Sequence, residues 1–235
     1  MFLGHFAVGL GAKAAAPRVS LGHLFVASQF IDLLWPTLLL VGLEEVVIAP
    51  GTTAVTPLDF THYPITHSLL AVLGWSLLIG GLYWLWRRSL RGAAVLGGLV
   101  VSHWLLDLIV HRPDLPLYPG GEAHVGFGVW NSLPATLLVE GLLFAVGVAL
   151  YLRVTRATGR AGRWGFWALV VALAGIYLAN LFGPPPPSVA AIAWAGQLQW
   201  IFVAWAYWLD TRRVSRDRYA PVGAPAAESS VAGTS

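Results

Sequence analysis

The chain contains no cysteine and few charged residues, because Asp, Glu, Lys and Arg together make up only 11% of its 235 residues. The absence of cysteine excludes disulfide bonds and thiolate metal sites. Soluble domains carry roughly 25% charged residues, whereas 57% of this chain is hydrophobic and its mean hydropathy is +0.70. The scarcity of charge therefore predicts a membrane protein. The formal net charge of +3 does not predict nucleic-acid binding, because the basic residues follow the membrane topology described below.

Long apolar segments predict an all-α fold, a polytopic transmembrane helical bundle. A helix needs about 20 apolar residues to cross a bilayer, and six segments meet this requirement, namely 20–43, 66–86, 92–111, 132–153, 164–182 and 188–209. Residues 2–15 form a shorter apolar segment, which predicts either a short seventh span or a helix that dips partway into the bilayer. We expect residues 1–218 to form one membrane domain and the small, polar tail 219–235 to be disordered.

The positions of the basic residues predict the orientation in the membrane. Of the 14 Lys and Arg residues, 13 fall on one side of a seven-helix arrangement, and Arg112 falls on the other. The positive-inside rule makes the basic side cytoplasmic. We therefore expect the N-terminus outside and the C-terminus in the cytoplasm. No basic region precedes the first apolar run, so we expect no cleaved signal peptide.

Polar residues that are unusual for membrane helices concentrate in the outer half of this arrangement. The stretch "VSHWLLDLIVH" places His103, Asp107 and His111 four residues apart, so the three side chains share one face of a helix. We expect His111 to lie at the membrane interface rather than to bind a ligand. Five further acids and histidines are expected at the same depth, in the outer half of the membrane. They are His5, Asp32, His62, His67 and Glu140.

Burying a charged carboxylate within an apolar membrane segment costs free energy. This cost predicts that each of these acids has a partner that offsets its charge. A charged side chain at the bilayer centre costs about 2.5–3.5 kcal/mol, so Asp32, Asp107 and Glu140 together would cost roughly 7–10 kcal/mol. These carboxylates must therefore be neutral, paired or bound to a cation. Histidine and carboxylate ligands without thiolates suit a divalent metal, with Zn²⁺ favoured and Mn²⁺ or Fe²⁺ as alternatives.

The candidate residues divide into ligands and catalytic groups. His62 is a predicted catalytic residue, as a proton donor to a leaving group, or else a further ligand. Glu140 is predicted to act as a general base or to support the ligands. The predicted metal ligands are Asp32, His67, His103, Asp107 and, as a second choice, His5. Structural interpretations stay open, since His103 and Asp107 could simply pair across a helix face and His67 could cap a helix.

The order of these motifs resembles a bacterial family, the membrane-bound, predicted metal-dependent hydrolases, whose archetype is an inner-membrane protein of the DNA-damage regulon. The resemblance covers roughly residues 1–125, and the remainder looks like a narrower group of uncharacterised multi-span bacterial membrane proteins. Phe30 stands where the family has the first acid of Asp-x-Asp, and Tyr63 stands where it has an arginine. The motifs that carry the resemblance are His5, Asp32 before Trp35-Pro36, His62 with Thr66-His67-Ser68, and Ser102-His103 with Asp107.

The resemblance implies a protein of the bacterial inner membrane and a metal-dependent hydrolase. We predict that the substrate is a lipid or a lipid-linked ester or phosphoester that enters from the bilayer. A proton- or ion-coupled transporter is the alternative, because buried acids and histidines also relay protons, although no internal repeat is visible. A non-catalytic scaffold ranks third, because hydrogen bonds between membrane helices average only about 0.6 kcal/mol.

Overall fold

The computed structural model describes residues 1–216, so the tail predicted to be disordered, 219–235, lies outside the described residues. Three short antiparallel strand pairs accompany the helices: β1 (Glu45–Ile48) with β2 (Leu58–His62), β3 (Leu115–Pro116) with β4 (His124–Val125), and β5 (Thr155–Ala157) with β6 (Arg213–Ser215). The helices are α1 (Phe2–Ala15), α2 (Leu21–Ser28), α3 (Phe30–Leu40), α4 (Pro64–His67), α5 (Leu69–Arg87), α6 (Leu90–Val110), α7 (Leu133–Val154), α8 (Arg160–Phe182), α9 (Val189–Gln197) and α10 (Gln199–Asp210).

The long helices confirm the predicted all-α, polytopic bundle. Within residues 1–216, five helical stretches are long and apolar enough to cross a membrane, namely α5, α6, α7, α8 and the consecutive pair α9–α10. The predicted span 20–43 is not one helix, because α2 and α3 meet at Gln29 with a bend of 56°. If this bent pair counts as one broken span, the number of spans is six. The predicted span 66–86 starts as the single turn α4, and α5 begins only after Ser68.

The short helix α1 lies inside the bundle rather than at its edge. Phe6 and Leu10 are fully buried and belong to one apolar core with residues of α2, α7, α8 and α10. Helix α1 runs very close to α7, because Gly147 lies against the backbone of Ala7. Small residues permit such close approach between membrane helices. The apolar segment 2–15 is thus a central element of the fold.

The close approach of α1 to α7 gives a stability prediction. A Cβ at Gly147 would overlap the backbone of Ala7, whereas a Cβ at Gly141 on the same helix meets no atom within 4 Å. Because overpacking costs about 1–3 kcal/mol, we expect Gly147→Ala to lower the melting temperature of the protein in detergent and Gly141→Ala to leave it unchanged. Differential scanning fluorimetry measures both variants, and equal melting temperatures would contradict this contact.

The two ends of the bundle differ in their polar contacts. At one end, called the basic end here, Lys13 Nζ donates to the carbonyl of Val19 at 2.6 Å and Arg91 Nε donates to the carbonyl of Ala15 at 2.6 Å. Arg213 lies at the same end and donates to Thr155 and Gly162. The opposite end, called the loop end, carries the connections 41–63 and 111–132. The positive-inside rule assigns the basic end to the cytoplasm, and this orientation stays a prediction.

Candidate metal centre

The structure brings all five predicted metal ligands together in one cluster toward the loop end. They form two groups of three whose ligand atoms lie within 4.8 Å of one another. His103 belongs to both groups. The first group is His5, His103 and Asp107, and the second is Asp32, His67 and His103.

Two imidazole nitrogens face two carboxylates at the centre of the cluster. Asp32 Oδ1 lies 3.6 Å from Nε2 of His67 and 3.6 Å from Nε2 of His103. Asp107 Oδ2 lies 3.1 Å from Nε2 of His103 and 4.0 Å from Nε2 of His67. The four side chains therefore surround one small space with two nitrogen and two oxygen ligand atoms.

His5 borders this space from the other side of Asp107. Its Nε2 lies 3.1 Å from Asp107 Oδ1, the oxygen that does not face His67 and His103. The rings of His5 and His103 are stacked, with centroids 3.5 Å apart and an interplanar angle of 6°. His5 therefore both orients Asp107 and limits the movement of His103.

Local structure explains why these side chains converge. His103 and Asp107 are one turn apart on α6, as their four-residue spacing predicts. Asp32 lies in the first turn of α3, directly after the bend at Gln29. His67 ends the single turn of α4, which stops there because Ser68 is extended and accepts a hydrogen bond from the backbone N–H of Ala71 at the start of α5.

The Nδ1 atoms of His67 and His103 point away from the cluster. The hydrogen bonds that these atoms make indicate which ring nitrogen of each histidine carries the proton. The carbonyl of Ser28 can only accept, so His103 Nδ1, 2.8 Å away, is the donor, and in the neutral imidazole Nε2 then carries the lone pair. Thr66 Oγ1 donates to Glu44 Oε2 at 2.7 Å and accepts from His67 Nδ1 at 2.6 Å. Nε2 of His67 therefore also presents a lone pair to the cluster, as metal-binding histidines do.

Glu44 is a residue of the site that the sequence analysis missed. It is 1% exposed, and its Oε1 also accepts from the backbone N–H groups of Ile65 and Thr66, each at 2.8 Å. The strand pair β1–β2 brings Glu44 to α4 from 22 residues away in the chain. No periodic pattern marks Glu44, because it lies in a connection between elements.

The chemistry of the cluster fits a divalent cation. Nδ1 of His5 is buried without a hydrogen-bond partner among the described residues, and Nε2 of His103 is buried 3.1 Å from Asp107 Oδ2. In a neutral His103 that donates through Nδ1, the lone pair on Nε2 faces the carboxylates of Asp32 and Asp107, an arrangement that a divalent cation between them would stabilise. Two imidazoles and two carboxylates, without thiolates, are ligands that suit Zn²⁺, Mn²⁺ or Fe²⁺. These residues could therefore hold one such ion.

The two predicted catalytic residues lie outside both groups. His62 is exposed at the end of β2, where it pairs with Glu45. Glu140 is buried on α7, and its Oε2 accepts from the backbone N–H groups of Leu3 at 2.8 Å and Gly4 at 3.4 Å. Glu140 thus caps the start of α1, within one turn of His5.

His111 lies outside both groups of ligand atoms and is buried. It follows the last residue of α6, and its Nδ1 is 2.9 Å from Asp114 Oδ1. Burial lowers the pKa of His111. Tyr63 donates its hydroxyl hydrogen to the carbonyl of Asp114 at 3.1 Å, and burial raises the pKa of this phenol. These contacts hold the loop end together beside the cluster.

A cavity of about 820 Å³, called the side cleft here, opens next to the cluster. Most of its lining is apolar and comes from α3, α8, α9, α10 and the loop 50–58. Asp32 and Glu140 both line the side cleft. The side chain of Asp32 is 25% exposed, whereas the other four cluster residues are between 0 and 4% exposed. Asp32 is therefore the residue at which the cluster meets the side cleft.

The model of a family described as YdjM inner membrane protein matches residues 1–184 of the chain. This range contains all five cluster residues together with Glu44 and Glu140. No curated protein and no solved structure matches the chain.

Proposed function

Because the chain belongs to the YdjM inner membrane protein family, we propose that it is a membrane-embedded, metal-dependent hydrolase of lipid or lipid-linked esters or phosphoesters. The family and the apolar helices together make it a multi-pass protein of the inner membrane. One observation carries the proposal: two imidazole lone pairs and two carboxylates converge beside an apolar side cleft. Intramembrane ionisable groups are costly and usually functional.

The five residues of the cluster would divide into metal ligands and a supporting residue. Asp32, His67, His103 and Asp107 would hold the metal, and His5 would orient Asp107. When bound, such a metal would supply a Lewis acid that activates water for hydrolysis. Because Asp32 is the ligand at the side cleft, a substrate would approach the metal past this residue.

Glu140 is the candidate general base. It lines the side cleft, and both of its hydrogen bonds to α1 use Oε2. Its Oε1 is therefore the atom that would accept a proton from the attacking water. His62 is exposed on β2 and takes no part in the proposed reaction.

Metal content is the first test of this proposal. We expect the protein, purified without a histidine tag, to contain near-stoichiometric Zn, Mn or Fe by mass spectrometry, and the double variant His103→Ala/Asp107→Ala to contain almost none. The exposed His124 provides a matched control, so His124→Ala should keep the metal. If the wild type binds no metal even after reconstitution, the hydrolase proposal is wrong.

A proton- or ion-coupled transporter is the second candidate, and the break between α2 and α3 favours it. Discontinuous membrane helices often form substrate and ion sites near the bilayer midplane, and Asp32 lies directly after this break. Uptake into proteoliposomes that depends on a proton or ion gradient, without hydrolysis, would support this candidate. A scaffold becomes the better explanation if His103→Ala and Asp107→Ala change neither metal content nor transport.

A further inference from the structure

We propose that a small cavity at the basic end of the bundle, called the basic pocket here, binds a phosphate group. The cavity has a volume of about 110 Å³, and its polar lining residues are Lys13, Arg18, Ser20, Asp210, Arg213 and Ser215. One water molecule needs about 10–15 Å³ of such space, so a phosphate group fits. Lys13 lies in the last turn of α1, whereas His5 of the metal cluster lies near its start. The basic pocket is therefore separate from the metal cluster.

Asp210, the one acid among the described residues that line the basic pocket, is already compensated by other groups. Its Oδ2 accepts from the backbone N–H of Leu21 at 2.6 Å, at the start of α2. Its Oδ1 lies 3.4 Å from Nζ of Lys13. A helix N-terminus and an ammonium group each stabilise a carboxylate. The charge of Asp210 is therefore not available to offset Arg18 and Arg213.

Arg213 is a buried cation that has no carboxylate partner among residues 1–216. It is 7% exposed. Its guanidinium donates to Thr155 Oγ1 at 3.0 Å and to the carbonyl of Gly162 at 3.2 Å, and both acceptors are uncharged. The guanidinium also lies 4.9 Å from the ring centroid of Phe166. These contacts hold Arg213 in place without a counter-ion. Since a buried charge is costly unless it is paired, Arg213 favours an anion in the pocket that it lines.

Arg18 is the residue whose donors are available to the phosphate group. It is exposed in the connection between α1 and α2, and it makes no hydrogen bond or ion pair within the described part of the chain. Arginine pairs with two phosphate oxygens at once. The connection is fixed beside β6, because Ser215 Oγ donates to the carbonyl of Pro17 at 2.7 Å. Arg18 would therefore bind the phosphate group, and Lys13 and Arg213 would add positive charge behind it.

A phosphate group at the basic end could come from a lipid or from solution. The positive-inside rule predicts that this end faces the cytoplasm. Basic pockets between membrane helices on this side bind the head groups of anionic lipids, and a free phosphate ion carries the same group. Either ligand would join α1, α2, α10 and β6, because residues from each of them or from their ends line the basic pocket. Binding should therefore stabilise the fold.

The test measures how two probes change the melting temperature of the full chain in phosphatidylcholine nanodiscs. The protein is first treated with EDTA, so that phosphate does not bind at the proposed metal centre. One series adds inorganic phosphate at constant ionic strength, and the other replaces part of the phosphatidylcholine by phosphatidic acid. We expect at least one probe to raise the melting temperature saturably, by about 3–6 °C at ten times its dissociation constant.

Variants of two exposed arginines test which residue binds the phosphate group. Arg18→Gln removes a charge that has no partner within residues 1–216, so without a probe it should melt like the wild type. It should weaken binding of the stabilising probe about tenfold. Arg160→Gln is the matched control, because Arg160 is also exposed, follows β5 at the basic end and does not line the basic pocket. This control should respond to both probes like the wild type.

The outcomes distinguish the two sources of the phosphate group. Stabilisation by phosphatidic acid alone that is weakened in Arg18→Gln supports a lipid head group as the ligand, and the same result with inorganic phosphate supports the free ion. If neither probe stabilises the wild type, or if Arg18→Gln responds to both probes like the wild type, the basic pocket does not bind phosphate. These results require neither the metal nor hydrolysis, so they leave the hydrolase proposal to its own test.

Discussion

Replacement of His67 by alanine is expected to lower lipid-ester hydrolysis by more than about 100-fold and to remove most of the bound metal. Nε2 of His67 faces Asp32 at 3.6 Å and Asp107 at 4.0 Å, so the change removes one of four proposed ligand atoms. Loss of a residue that only supports a ligand typically costs 10- to 100-fold, and loss of a ligand should cost more. Initial rates with a monoacylglycerol ester, measured beside metal content, give both quantities.

His62 provides the matched control for His67. It lies five residues earlier in the same motif, but its side chain is exposed on β2. His62→Ala should therefore keep both metal and activity within about twofold of the wild type. If His62→Ala lost activity and His67→Ala did not, the catalytic role first predicted for His62 would be correct and the cluster would not be the active site.

Replacement of Glu44 by glutamine is expected to weaken metal binding by about 10- to 100-fold without removing a ligand. The carboxylate of Glu44 accepts from Thr66 Oγ1, and Thr66 Oγ1 accepts from His67 Nδ1. This chain fixes the tautomer of His67 and raises its basicity, which is the usual effect of a carboxylate behind a metal-binding histidine. Competition with a fluorescent chelator measures the metal affinity.

Glu45 is the neighbouring control for Glu44, because it is exposed while Glu44 is buried. Glu45→Gln should bind metal like the wild type. Thr66→Val removes the hydroxyl between Glu44 and His67 and should reproduce the effect of Glu44→Gln. Equal metal affinity in the Glu44 and Glu45 variants would show that this hydrogen-bonded chain has no influence on the centre.

Much of the helical part of the site is predictable from local periodicity. The four-residue spacing of His103 and Asp107 places them on one helix face without any tertiary information. The depth of His5, Asp32 and His67 follows from the basic residues and the positive-inside rule. All five residues then share one level of the bundle, and the structure brings them together there.

Other features of the site depend on contacts that the sequence does not encode locally. Glu44 reaches Thr66 through a strand pair with an irregular register, and the position of Glu44 between elements gives it no pattern. No proline or glycine lies at the break at Gln29, so the sequence does not indicate the bend between α2 and α3. Trp35 and Tyr177 line the side cleft from distant parts of the chain, so the sequence does not place them in one cavity.

The burial of α1 against α7 also determines the order in which the protein can assemble. Leu3 and Glu140, whose hydrogen bond caps α1, are 137 residues apart. During synthesis, α1 leaves the ribosome long before α7 exists, so the first N–H groups of α1 must wait for their Glu140 partner. Five other helices enter the membrane or its surface in the meantime. The five cluster residues all precede α7 in the chain. A nascent chain that ends before α7 would therefore contain the whole cluster but lack the Glu140 cap at the start of α1.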